Sequence, residues 1–180
     1  QRKRIANVRF TYVTDRVEKG KSIMYDFDRI VDRRGTSCLK YDFQVERRGR
    51  LVYKDGKYSI DFDDFEKKIV DENVKLFILC SPHNPVGRVW TEDELRRMGE
   101  ICFKHKVIVV SDEIHCDFTY EGHKHITFPS LGEEFEKNVI LCTAPSKTFN
   151  IAGLHVSNIF IPNPEIRKQF KGELEAIGFS

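Results

Sequence analysis

Beyond residue 50 the apolar positions of this chain fall into two alternating rhythms. Unbroken apolar runs occur at Leu76-Phe77-Ile78-Leu79-Cys80, Val107-Ile108-Val109-Val110 and Val139-Ile140-Leu141-Cys142, with a further apolar stretch from His155 to Ile161. Runs of this length, bounded by polar turns, predict strands over 75–80, 107–111, 139–143 and 155–161. Between them apolar residues recur at helical spacing. Phe62, Phe65 and Ile69 share one face of residues 61–70, with acids early and lysines late, as the helix dipole favours. Thr91-Glu92-Asp93-Glu94 reads as a capping box, after which Leu95, Met98, Ile101 and Cys102 form one apolar face to about His105. A polar loop runs from Tyr120 to Pro129, and Asn163-Pro164 opens a last helix. Strands alternating with helices imply right-handed crossovers. The expected fold is α/β: a mostly parallel sheet with helices on both faces. No internal repeat or low-complexity segment interrupts the pattern.

Composition narrows the class. The chain has 180 residues, 40% hydrophobic and 32% charged, enough for one domain with a sizeable core. No run is long enough to span a bilayer, and the basic head lacks the apolar stretch of a signal peptide, so a cytoplasmic protein with no membrane partner is expected. Charge is uneven. Residues 1–50 carry 14 Lys and Arg against 7 Asp and Glu, while the remainder is net acidic. A basic head can mark nucleic-acid binding. Here the basic residues mix with acids and follow no motif, which favours a solvated arm and no nucleic-acid partner. Five cysteines (38, 80, 102, 116 and 142) form no C-x-x-C pair. Cys80 and Cys142 end strands and Cys102 lies on a helix, so buried free thiols are expected. A zinc site can be drawn from His115, Cys116, His123 and His125, but it lacks a second close-spaced pair, and no metal is expected.

Three polar clusters follow three of the apolar runs, and they carry the candidate chemistry. Ser81-Pro82-His83-Asn84-Pro85-Val86-Gly87 follows the first, Ser111-Asp112-Glu113-Ile114-His115 the second, and Thr143-Ala144-Pro145-Ser146-Lys147-Thr148-Phe149-Asn150 the third. Ligands of open α/β sheets bind at the carboxyl ends of strands. A lysine there, its pKa lowered by burial, can attack a carbonyl carbon as the neutral amine, and neighbouring hydroxyls and backbone N–H groups can hold a phosphate. An amine beside a phosphate cradle is what a pyridoxal phosphate Schiff base requires. A carboxylate such as Asp112 can keep the pyridine nitrogen protonated, and the Asn84 amide can donate to the ring's 3′-oxygen. Each cluster alone is an ordinary turn or cap. Their joint order, with anchors 28 and 35 residues apart, is what makes the pattern specific.

These segments resemble fold-type I pyridoxal phosphate enzymes of the class I/II aminotransferase superfamily. More narrowly, Asp112-Glu113-Ile114-His115-Cys116-Asp117 and Ala144-Pro145-Ser146-Lys147-Thr148-Phe149-Asn150-Ile151-Ala152-Gly153-Leu154 resemble the MalY/PatB-type cystathionine β-lyases, or C–S lyases. The resemblance covers about Val52 to Ser180. It implies pyridoxal 5′-phosphate as cofactor, with Lys147 as the catalytic residue and the covalent anchor. Asp112 would then pair with the pyridine nitrogen, Asn84 with the 3′-oxygen, and Thr143 and Ser146 with the phosphate. His115 would stand beside the cofactor, where aspartate aminotransferases carry a tyrosine. The implied reaction cleaves the Cβ–S bond of cystathionine or a related cysteine S-conjugate, giving thiol, pyruvate and ammonia, in a parent enzyme that is a homodimer. Transamination would use the same residues and stands as the alternative.

The family pattern is incomplete here. Met24 to Phe43 resembles the family's amino terminus, so residues 1–23 would be extraneous or disordered within a basic arm over 1–50. The resemblance breaks between Phe43 and Leu51, where the family carries a longer stretch with the ring-stacking aromatic and part of the phosphate site. Residues 51–180 would be a partial large domain, ending before the small carboxyl-terminal domain and its substrate-carboxylate arginine. A truncated product without turnover is therefore the expectation of a different class.

Overall fold

The computed structural model describes residues 10–11, 51–71 and 73–176. It opens on a pair the periodicity did not predict. Strands β1 (Phe10–Thr11), β2 (Leu51–Lys54) and β3 (Lys57–Ile60) come first, and β2 and β3 form an antiparallel hairpin. Asp55 and Gly56, with φ of 51° and 76°, make the two-residue turn, the primed type that matches strand twist. The Asp-Gly dipeptide was the available signal. Helix α1 (Phe62–Asp71) starts where Asp61 accepts from the Asp64 amide at 3.0 Å. Strand β4 (Leu76–Cys80) leads into helix α2 (Glu92–Lys104), whose capping box is complete: Thr91 accepts from Glu94 N, and Glu94 accepts from Thr91 N. Strand β5 (Ile108–Asp112), a 3₁₀ turn over Phe128–Leu131, the short α3 (Glu133–Glu136) and strand β6 (Val139–Thr143) follow. Strand β7 (Asn158–Phe160) and helix α4 (Pro164–Ala176) complete the order, with Asn163 accepting from the Glu165 and Ile166 amides.

The five-stranded sheet runs β1-β4-β5-β6-β7, parallel across its first four members. Strand β7 is shorter than the apolar stretch from His155 to Ile161 and pairs antiparallel with β6. The reason is local. Turns and a 3₁₀ segment over Ala152–Leu154, with His155 at φ 53°, stand between β6 and β7 in place of a crossover helix. Of the amino-terminal arm, Phe10–Thr11 extend the sheet beside Leu76 and Phe77. The expectations for the rest of residues 1–50, Cys38 included, lie outside the described residues.

The core sits on one face of the sheet. Phe77 and Leu79 of β4, Val109 of β5 and Val139 of β6 point into it, and Ile69 of α1 and Leu95, Met98, Ile101 and Cys102 of α2 meet them. Ile78, Val110 and Ile140, on the other face by alternation, are only partly buried among the described residues. Burial pushes the Cys102 thiol up to about 12, so it packs as a small hydrophobe. Among the described residues no helix is long and apolar enough to cross a membrane.

Helix α2 approaches the 128–135 segment through Gly99. A Cβ there would lie 2.5 Å from Phe135 Cε1 and 3.0 Å from Phe128 Cζ. Those two rings are fully buried and meet edge to face at 5.4 Å, so neither can swing aside freely. Gly99→Ala would gain about 1 kcal/mol of helix propensity against about 1–3 kcal/mol for overpacking. A lowered urea midpoint is expected; an equal or raised midpoint would show that Phe135 gives way.

Candidate active site

The parallel register brings the ends of β4, β5 and β6 level. Cys80, Asp112 and Cys142 are direct neighbours across the three strands, and their side chains share the sheet face opposite the core. The ladder continues one residue further, Ser81 N donating to Asp112 O at 3.0 Å and Glu113 N to Cys142 O at 2.9 Å. Three loops therefore leave one edge from fixed starting points, and every residue predicted for the site lies on them or, as Asp112 and Thr143 do, at the strand end they leave from.

Asn84 sits in the loop after β4. His83 N donates to Arg88 O and Gly87 N to His83 O, both at 2.7 Å, which closes a tight turn around residues 83–88. The peptide bonds before Pro82 and Pro85 are cis. The base of this turn is fastened outward. Arg88 grips both carboxylate oxygens of Glu94 at 2.7 Å, donates to Tyr58 O in the hairpin, and lies 4.6 Å from the Trp90 ring. The Asn84 side chain is exposed and has no hydrogen bond to another described residue.

Asp112 ends β5 half-buried, with Oδ1 accepting from Ile114 N at 3.3 Å, which orients the carboxylate toward the edge. His115 is half-buried and meets the Phe118 ring at 6.0 Å. Burial first, then the Asp112 charge, raises the thiols of Cys80 and Cys142 that flank it. Cys80 is a buried free thiol as expected, whereas Cys142 is only half-buried.

The lysine turn follows β6. Phe149 N donates to Pro145 O and Ile151 N to Ser146 O, with Asn150 at φ 54° reversing the chain. Thr148 Oγ1 donates to Asp117 Oδ2 at 2.6 Å and ties this turn to the loop after β5. Ser146 is half-buried, whereas Lys147 is exposed. The burial expected of this lysine is thus not provided by the described residues. Thr143 reaches the same edge but alternates onto the face of Val139 and Leu141, away from that of Asp112, and its hydroxyl accepts from Asn158 Nδ2 at 3.5 Å.

Glu113 is the residue whose part the sequence reading missed. It is 1% exposed, yet both oxygens are used: Oε1 accepts from Ser111 Oγ at 2.8 Å and Phe128 N at 2.9 Å, and Oε2 pairs with His125 Nε2 at 2.7 Å. It therefore pins the 114–127 loop, which carries His115 and Asp117, to the core. The signal was the strand period: Val109, Ser111 and Glu113 alternate onto the core face, where a carboxylate must find donors. His125, drawn above into a zinc site, is engaged here instead.

Residues 34–176 match the family described as aminotransferase class I and II. The chain is 51% identical over 140 residues to cystathionine beta-lyase PatB of Bacillus subtilis, covering 74% of this chain and 36% of that protein. Among solved structures it resembles cystalysin of Treponema denticola, which contains a pyridoxal 5′-phosphate cofactor (45% identity, TM-score 0.72, 76% of this chain and 34% of that one). It also resembles the PLP-bound C–S lyase of Staphylococcus hominis (41% identity, TM-score 0.67, 73% and 33%). The chain thus spans roughly a third of the length of these relatives.

Replacing Glu113 tests the pin. Glu113→Ala leaves the Phe128 amide, the Ser111 hydroxyl and the His125 ring without their shared acceptor. A loss of about 3 kcal/mol is expected, the scale for breaking a buried pair. Urea unfolding should show it, with faster proteolytic nicking inside residues 114–127. An unchanged midpoint and cleavage pattern would show that the loop is held by other contacts.

Proposed function

The chain belongs to the aminotransferase class I and II family, and we propose that residues 51–180 form part of the cofactor-binding large domain of a carbon–sulfur β-lyase. The observation that supports this most is the level ending of β4, β5 and β6, with a carboxylate at the end of β5 and an amide and an amine on the loops after β4 and β6. That donor set fits pyridoxal phosphate: an exposed amine for its aldehyde, an oriented carboxylate for its ring nitrogen, an open amide for its ring oxygen, and the Ser146 hydroxyl for its phosphate. When bound, pyridoxal phosphate supplies an aldehyde that takes an amine and a ring that accepts an electron pair from the α-carbon.

The chain's own groups do the rest. The Asp112 carboxylate would face the ring N–H, while Ile114 N keeps it from turning away. Asn84 Nδ2 donates to the ring oxygen. Thr143, from the other face of the same edge, would reach the phosphate, and His115 would stand beside the ring. Lys147 Nζ would be the covalent anchor and, as a free amine, the base that takes the proton from the substrate's α-carbon. With sulfur on the β-carbon, the bond that breaks next is Cβ–S, and thiolate leaves. Water then releases ammonia and pyruvate from the remaining three-carbon unit.

The substrate class is an amino acid bearing sulfur on Cβ, such as cystathionine or a cysteine S-conjugate. Identity to PatB favours elimination. Transamination uses the same lysine and is the second reading, supported by the family description. Homodimerisation of the longer protein belongs to the same proposal, and Phe149, Leu154 and Phe160, exposed in the segment after β6, offer apolar surface for it.

Incubation with pyridoxal phosphate, borohydride reduction and peptide mapping should place the label on Lys147 in preference to exposed lysines such as Lys124 and Lys137. With cystathionine and no 2-oxo acid, pyruvate release should fall by about 10²–10⁴ in Lys147→Ala, the scale of a positioned general base. Label spread evenly over surface lysines, or pyruvate release untouched by the substitution, would overturn the assignment. Conversion of cystathionine to its own 2-oxo acid only when a second 2-oxo acid is supplied, with no pyruvate or thiol released, would favour transamination.

A further inference from the structure

Cys80 is 8% exposed and uses every polar atom it has beyond the sheet ladder. Its thiol donates to Pro82 O at 3.3 Å and its sulfur accepts from Asn84 N at 3.4 Å. Its carbonyl accepts from Trp90 Nε1 at 3.0 Å. In the sheet it lies directly beside Asp112. The next residue, Ser81, donates its amide to Asp112 O. Cys80 thus touches the turn that presents Asn84 through its side chain, while its backbone lies in register with the strand that presents Asp112.

We propose that Cys80 is a positioning residue: its thiol folds the 81–84 turn back over the end of β4 and so sets Asn84 at a fixed offset from Asp112. The proposal rests on the reading of Asn84 and Asp112 as the groups that hold the cofactor ring. Sulfur suits the task. It is large enough to fill the inside of the turn, and it both donates and accepts from one atom. Donation to Pro82 O requires the protonated thiol. Burial, against the lowering effect of the Asn84 N–H bond and with the neighbouring Asp112 charge, raises the thiol pKa and favours that form. Alanine at this position strands the Asn84 amide and the Pro82 carbonyl. Valine restores the volume without the donor or acceptor. Serine restores both with a shorter reach.

The turn can be tested without the cofactor. Hydrogen exchange at the Asn84 amide should speed up about tenfold or more in Cys80→Val, the loss of one modest hydrogen bond. Exchange in α2 and in the core of β5 should stay unchanged, and Cys80→Ser should recover part of the protection. With pyridoxal phosphate added, Cys80→Val should bind about tenfold more weakly by equilibrium dialysis. The double variant Cys80→Val/Asn84→Ala should bind no more weakly than Asn84→Ala alone, because both act through one contact. Unchanged exchange at Asn84, or additive losses in the double variant, would overturn the proposal. Failure of Lys147 labelling in the unsubstituted protein would instead sink the functional reading, while the exchange result would still decide whether Cys80 holds the turn.

Discussion

The parallel ladder of β4, β5 and β6 is the constraint on which everything else depends. A parallel pair fixes both the direction and the level at which neighbouring strands end, and here three strands end in one row, Cys80-Asp112-Cys142. Loops that leave from such a row can differ in length and sequence without losing their mutual placement. The ladder is itself set by packing. Phe77, Leu79, Val109 and Val139 face α1 and α2, and a slip of one residue in any strand would turn those side chains out of the core. Chemistry at the edge is therefore held in place by hydrocarbon contacts some distance below it.

A second device works against the usual order of the interior. Glu113 places a carboxylate where Val109 and Ser111 have already set the core face, and it is accepted because three donors meet it. The cost of burying charge is offset only while all three remain, so strand end, 3₁₀ turn and loop act as one unit. Asp112 and Glu113, adjacent in sequence, thus divide their work by face. One carboxylate looks out to the site edge and the other looks in to hold the loop beside it.

Much of this was legible in the residues. The capping box at Thr91, the apolar face of α2 and the three runs preceding Asn84, Asp112 and Lys147 are local signals, and they reappear as elements with boundaries shifted by a residue or so. What was not legible depends on contacts distant in sequence. The direction of β7 follows from the path between it and β6, which no periodicity encodes. Glu113 looked like one more polar residue in a loop until its partners fifteen and twelve positions later came into place. Lys147 was expected to be buried because it follows an apolar strand, but burial of a loop depends on what lies over it, and the described elements leave it open. The hairpin at Asp55-Gly56 is a plain omission, since its turn signal was in the sequence.

The Arg88 clasp has a consequence for how this site could change over time. Glu94 serves two masters: it closes the helix cap at Thr91 and its two oxygens accept from Nη2 of Arg88, whose Nη1 reaches the hairpin. The loop that presents Asn84 is therefore not a module. Exchanging it with a loop from another protein would carry the helix start and the hairpin edge along or leave them unfastened. Variation at this corner should be inherited in blocks running from the hairpin through α2, so that the smallest unit able to move between proteins is the whole stretch 57–104, not the short Asn-Pro motif that catches the eye.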